Sequence, residues 1–113
     1  MSEDRLAAGV EAAAFLRRAE GAGGFGTVLH KGDKSRGSLL LLVAERGVPT
    51  ALLERRLSIT GTYEWARSAL PEGDSSALAF YIERRRRSDP DCWVIELDIP
   101  LSERFIAETI AGG

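Results

Sequence analysis

Six consecutive apolar residues, Leu39-Leu40-Leu41-Leu42-Val43-Ala44, constrain this chain more than any other stretch. A strand sends alternate side chains to opposite faces, so a strand here is apolar on both and needs cover on both. A central position in a sheet meets that need, and so does an oligomer interface on one face. The run is far too short to cross a bilayer. With 113 residues, positions 1–113 are expected to form one domain around one core.

The remaining elements follow from periodicity and punctuation. Ala8, Ala12, Phe15, Leu16 and Ala19 recur at helical spacing, with Ser2 as the expected N-cap and Gly21 as the stop. Gly21-Ala22-Gly23-Gly24-Phe25-Gly26 matches G-x-G-x-x-G in letters. A dinucleotide site needs those glycines between a strand and a following helix. Here a helix ends and a strand begins, so the stretch reads as a turn. Residues 25–31 alternate as a strand, and the polar loop Gly32-Asp33-Lys34-Ser35-Arg36-Gly37 points to a hairpin with the apolar run. Residues 50–59 form a third strand, whose apolar face Arg55 interrupts, so Arg55 needs a nearby edge or an acidic partner. Residues 63–68 form a fourth.

Asp74 or Ser75 then caps a second helix in which Leu78, Tyr81, Ile82 and Arg85 share one stripe. A strand over 92–99 carries Trp93, Ile95, Leu97 and Ile99 on one face and Cys92, Val94, Glu96 and Asp98 on the other. Ser102 is the expected cap of a short last helix. This order predicts an α+β fold: a mostly antiparallel sheet of about five strands, two main helices packed on one face, and a short C-terminal helix.

Leu16-Arg17-Arg18-Ala19-Glu20 with Gly23-Gly24-Phe25, the Lys31-Gly32-Asp33 turn, and Asp89-Pro90-Asp91-Cys92-Trp93-Val94-Ile95-Glu96 carry a resemblance. From about residue 5 to residue 98 the chain resembles a small alphaproteobacterial family known as domain of unknown function 1491. The D-P-D-x-W-V-x-E segment is its most specific part. The resemblance implies a bacterial protein without an assigned activity, and it transfers no catalytic residue. It also marks Asp89, Pro90, Asp91, Trp93 and Glu96 as the turn and core that define the fold.

Composition narrows the function. Apolar residues at 44% and charged residues at 28% fit a folded globular chain. A net charge of −2 supplies no global field toward nucleic acid or anionic membrane. The single Cys92 excludes an intrachain disulfide framework and a thiolate-rich metal site, which fits a reduced, cytoplasmic setting. Met1-Ser2-Glu3-Asp4 is acidic where a signal peptide is basic.

Three candidate sites remain. Arg84, Arg85, Arg86 and Arg87 end the second helix, but about 100° per residue fans them apart. Arg85 must face the sheet, and Asp89, Asp91 and Glu96 are the acids at hand. If Arg84, Arg86 and Arg87 converge with Lys31, Lys34 and Arg36 beside His30, they form an anion or nucleic-acid patch, with Tyr63 or Trp65 as a stacking face. Asp89, Asp91, Glu96 and Asp98 are too crowded, and lack a lysine, for a nuclease-type metal site. Cys92 and His30 act as nucleophile and base only if the fold joins them.

The expectation is therefore a non-enzymatic interaction or regulatory module without catalytic residues, metal or cofactor. Its partner is a protein or a second copy of itself. Binding of nucleic acid or a phosphate ligand is the second reading, and a membrane role has no support.

Overall fold

The apolar run forms β2 (Leu39–Glu45), the middle strand of a five-stranded sheet in a computed structural model describing residues 6–112. Its neighbours are β3 (Val48–Leu57) and β5 (Trp93–Asp98). The edges are β1 (Phe25–His30) and β4 (Tyr63–Ser68), in the order β1-β5-β2-β3-β4. Three helices complete the described chain: α1 (Ala8–Gly21), α2 (Ser75–Ser88) and α3 (Ser102–Ala111). Ser2, the expected cap, lies outside the described residues and is not the cap of α1: the helix starts at Ala8, with Ala7 in the cap position and no side-chain cap bond.

Both faces of β2 are covered from within the chain. Leu39, Leu41 and Val43 join Leu53, Trp65, Trp93 and Ile95 in a core closed by Phe15 of α1 and Phe105 and Ile106 of α3. Leu40 and Leu42 join Leu52, Cys92 and Val94 on the opposite face, where Leu78, Tyr81 and Ile82 of α2 pack. The central position, rather than an oligomer interface, satisfies the run.

Two features of the expected architecture are corrected. The sheet is mixed, because β2 and β5 run parallel, with Leu39 opposite Trp93 and Leu41 opposite Ile95. The other three pairings are antiparallel. Since β2, β3 and β4 form a meander, β4 is also parallel to β5, and β4-α2-β5 is a crossover. Parallel strands need such a connection, so α2 lies across the face opposite α1 and α3, and the two main helices do not share one face.

The expected hairpin between the first two strands also fails, because β5 lies between them. The loop from β1 to β2 instead passes over the start of β5. There Asp33 N donates to Asp91 O at 3.0 Å, and Trp93 Nε1 donates to Asp33 O at 2.8 Å. A Cβ on Gly32 or Gly37 would stand 2.1 or 2.2 Å from Asp91 O, so glycine permits this close crossing. The G-x-G-x-x-G stretch is a turn, as its order predicts; Gly24 lies against the backbone of Asp98.

Helix ends follow local chemistry. Asp74 caps α2 through Ser76 N at 3.0 Å. Ser102 is inside α3 rather than capping it: Leu101 holds the cap position at φ 56°. The acceptor is Glu45 at the end of β2, which takes Ser102 N at 3.1 Å and Ser102 Oγ at 2.8 Å. A carboxylate at a helix N-terminus suits the dipole.

Candidate functional site

The arginines ending α2 go separate ways. Arg85 turns toward the sheet and meets Glu54 of β3 at 2.7 Å, with the side chains 24% and 18% exposed. Burial opposes its charge, yet the hydrogen bond and attraction from Glu54 prevail, so its pKa is raised. Arg86 donates Nε to His30 Nδ1 at 3.1 Å and pairs with Glu83 at 3.0 Å. Arg87 reaches Glu83 only at 3.5 Å, with its side chain 79% exposed. Arg84 is exposed and has no ion-pair or hydrogen-bond partner among the described residues. The acids that answer the arginines are thus Glu54 and Glu83, not the expected Asp89, Asp91 and Glu96. Glu54 had a signal in the sequence: it shares a face of β3 with Leu52, the face that meets α2.

Asp89, Pro90 and Asp91 serve the turn. Asp89 accepts from Ser38 Oγ at 3.3 Å, while Pro90 O lies 3.2 Å from His30 Nε2. With Nδ1 accepting from Arg86, the His30 Nε2–H is the donor to Pro90. His30 therefore clamps the α2 end to the turn. Trp93 is buried in the core as expected. Asp98 accepts from Arg46 N at 2.9 Å and Gly47 N at 2.7 Å, closing the turn between β2 and β3. Asp89 and Asp98 thus have separate structural tasks, and no group of three His, Cys, Asp or Glu among the described residues is placed to hold a metal ion.

The loop cations Lys31, Lys34 and Arg36 are exposed around Asp33. The Asp33 carboxylate accepts from Arg36 N at 2.7 Å and Ser35 N at 3.0 Å, and these bonds lower its pKa. Arg86 meets this region through His30. Arg84 makes no hydrogen bond or ion pair to it among the described residues, and Arg87 is linked to it only through Glu83, which it shares with Arg86. Arg84 and Arg87 line, with Tyr81, Arg85 and Ser88, an open cavity of about 470 Å³. A second cavity of about 230 Å³, lined by Ser38, Leu39, Glu54, Arg55, Tyr63 and Arg85, meets the first at Arg85. Among the described residues, no hydrogen bond or ion pair therefore links Arg84 or Arg87 directly to Lys31, Lys34 or Arg36, although Arg87 shares Glu83 with Arg86. Tyr81, which the apolar stripe of α2 predicts only as a core residue, and Ser88 also line the first cavity; their i, i+7 spacing with Arg84 between them was the available signal.

Trp65 offers no stacking face, because it is 5% exposed and packs edge-on to Phe15 at 5.4 Å. Arg55 stands 4.4 Å over its ring and pairs with Glu11 at 3.0 Å, the acidic partner its position demands. Tyr63 is 62% exposed and is the available ring. Cys92 is fully buried beneath α2, with Sγ 3.9 Å from an Arg85 nitrogen, while His30 is occupied by Arg86 and Pro90. They do not form a pair.

Residues 6–107 match the family described as "Protein of unknown function (DUF1491)". A crystal structure of a DUF1491 family protein from Caulobacter crescentus CB15 is similar, with a TM-score of 0.71 and 34% identity over 81% of this chain and 86% of that one. An NMR structure of a DUF1491 family protein from the same organism gives 0.68 and 34%, over 83% and 86%. A solution structure from A. tumefaciens gives 0.66 over 85% and 87%, at 24% identity, and supports the fold alone. No curated protein matches the chain. With nearly its whole described length matched, the chain belongs to the DUF1491 family, a family of unknown function.

Proposed function

We propose that the chain is a non-enzymatic interaction module that adds a strand to its sheet at β1, and that a second copy supplies that strand. One observation carries this reading: the two sheet edges are built differently. The β4 edge, Tyr63-Glu64-Trp65-Ala66-Arg67-Ser68, carries charges, and Arg67 is tied to Glu103 of α3 at 2.7 Å. Charge on an edge blocks pairing with a foreign strand.

The β1 edge, Phe25-Gly26-Thr27-Val28-Leu29-His30, holds no acid, lysine, arginine or proline. Phe25 is 59%, Leu29 47% and Val28 39% exposed. Half of its backbone groups pair with β5, and the other half face outward. An antiparallel two-fold pairing of this uncharged segment sets no like charges opposite each other. The bulge between Val28 and His30 leaves the first four residues in regular register for such pairing.

Sedimentation or light scattering at tens of micromolar tests this. A mass twice the 12.3 kDa of one chain is expected, with return to one chain for Thr27→Lys. A single-chain mass at every concentration removes the reading.

A further inference from the structure

We infer that the second copy joins β1 with Thr27 on the two-fold axis, so that each Thr27 stands directly opposite its own copy. The inference rests on the β1 pairing proposed above and names the side chains by which one copy recognises the other.

The faces of β1 narrow the choice. Gly26 and Val28 lie opposite Leu97 and Ile95, on the face that carries α1 and α3. Phe25 and Thr27 lie opposite Asp98 and Glu96, on the α2 face of β5 with Val94. A two-fold axis between antiparallel strands of one sheet runs normal to the sheet and keeps each face on its own side. Residues directly opposite each other also share a face. The axis must therefore pass between one residue and its own copy, and β1 is regular only from Phe25 to Val28.

Three of those four positions fail. An axis at Phe25 or Gly26 sets strand residues against Gly24, which precedes β1 and already gives its N–H to Ala19 O at 2.9 Å. An axis at Val28 sets Gly26 against His30, but the bulge has put His30 on the other face, opposite Val94. Thr27 is left.

The side chains agree with that register. Val28, 39% exposed, comes opposite Gly26 of the other copy. There Leu16 of α1 occupies the place of the missing side chain: a Cβ on Gly26 would stand 2.5 Å from Leu16 Cδ2. Leu16 is only half-buried against the core, so Val28 covers it and the two α1-side cores become continuous. Phe25, 59% exposed, comes opposite the bulge at Leu29, which is 47% exposed. Two threonines facing each other make a favourable cross-strand pair.

Oxidative cross-linking tests the axis. Facing residues of an antiparallel pair have Cα atoms about 4.5–5.5 Å apart, within the span of a disulfide. Diagonal neighbours are about 7–8 Å apart, outside it. Thr27→Cys is therefore expected to convert almost completely to a disulfide-linked pair of chains under mild oxidant, read on a non-reducing gel. Val28→Cys, whose two copies are diagonal neighbours, is expected to remain a single chain. Cys92 is buried, so the parent is the control that does not link.

Sedimentation of the reduced variants separates this inference from the reading beneath it. A doubled mass without a link through Thr27→Cys overturns the Thr27 axis and leaves the pairing of two copies standing. So does a doubled mass in which Val28→Cys links as readily as Thr27→Cys. A single-chain mass at every concentration removes both.

Discussion

Glu45 shows how one side chain joins distant parts of this chain. It ends the central strand, and its carboxylate accepts both the N–H and the hydroxyl of Ser102 at the start of α3. Those two bonds, the backbone one first, hold its pKa below the usual 4.5. A depressed carboxylate pKa stabilises the fold fully above the unfolded value and loses that contribution as pH falls through the folded value. Thermal melts should therefore place Glu45→Gln below the parent at pH 6, with the gap closing toward pH 3. A constant gap across that range would refute the cap. At Gly32 the constraint is steric instead. A methyl group 2.1 Å from Asp91 O forces the crossing loop outward, so Gly32→Ala should cost about 1–3 kcal/mol in urea unfolding. An unchanged midpoint would mean that the loop can lift without cost.

Among the elements, the two long helices are held very differently. α1 buries Ala8, Ala12, Phe15 and Ala19, and Arg18 ties it to α3 through Thr109 at 3.1 Å and the Phe105 ring at 4.4 Å. α2 has no fully buried residue; Leu78, Tyr81 and Ile82 are half-buried against the sheet, and Glu54 and His30 grip its end. Phe15→Ala should cost about 3–5 kcal/mol, and Ile82→Ala only about 1–2 kcal/mol because less of its surface leaves water. Native-state hydrogen exchange should release α2 amides before those of α1, and the reverse order would contradict this ranking. Both helices were legible in the sequence because an apolar stripe is a local signal, and in α2 the cap was too: Asp74, Leu78, Tyr81, Ile82 and Arg85 do what their spacing predicts, whereas α1 starts after Ala7 with no side-chain cap to announce it. The partner of Arg85 was not legible. Glu54 is 31 positions away, and only the crossover brings it near.

On the scale of the whole molecule, strand order was the unreadable part, and it governs the candidate sites. The glycine-bounded loop after β1 looks like a hairpin turn, because no local signal announces that β5 will enter between β1 and β2. A strand, a helix and a strand at 63–98 did hint at a parallel crossover. That insertion leaves β1 on an open edge and puts α2 on its own face. The double-sided strand was readable, and it makes a sharp prediction. Leu40 and Leu41 are adjacent and both fully buried, yet their side chains belong to different cores. Leu41 sits opposite Leu53 in the same core. Each Leu→Val change removes one methylene and should cost about 1 kcal/mol. Residues without shared partners add, and residues in contact couple. The Leu40→Val, Leu41→Val pair should therefore be additive within about 0.5 kcal/mol, despite being neighbours in sequence. The Leu41→Val, Leu53→Val pair should deviate by more, despite lying 12 positions apart. Were the adjacent pair to couple and the cross-strand pair to add, the sheet would not divide the interior into two separately packed cores.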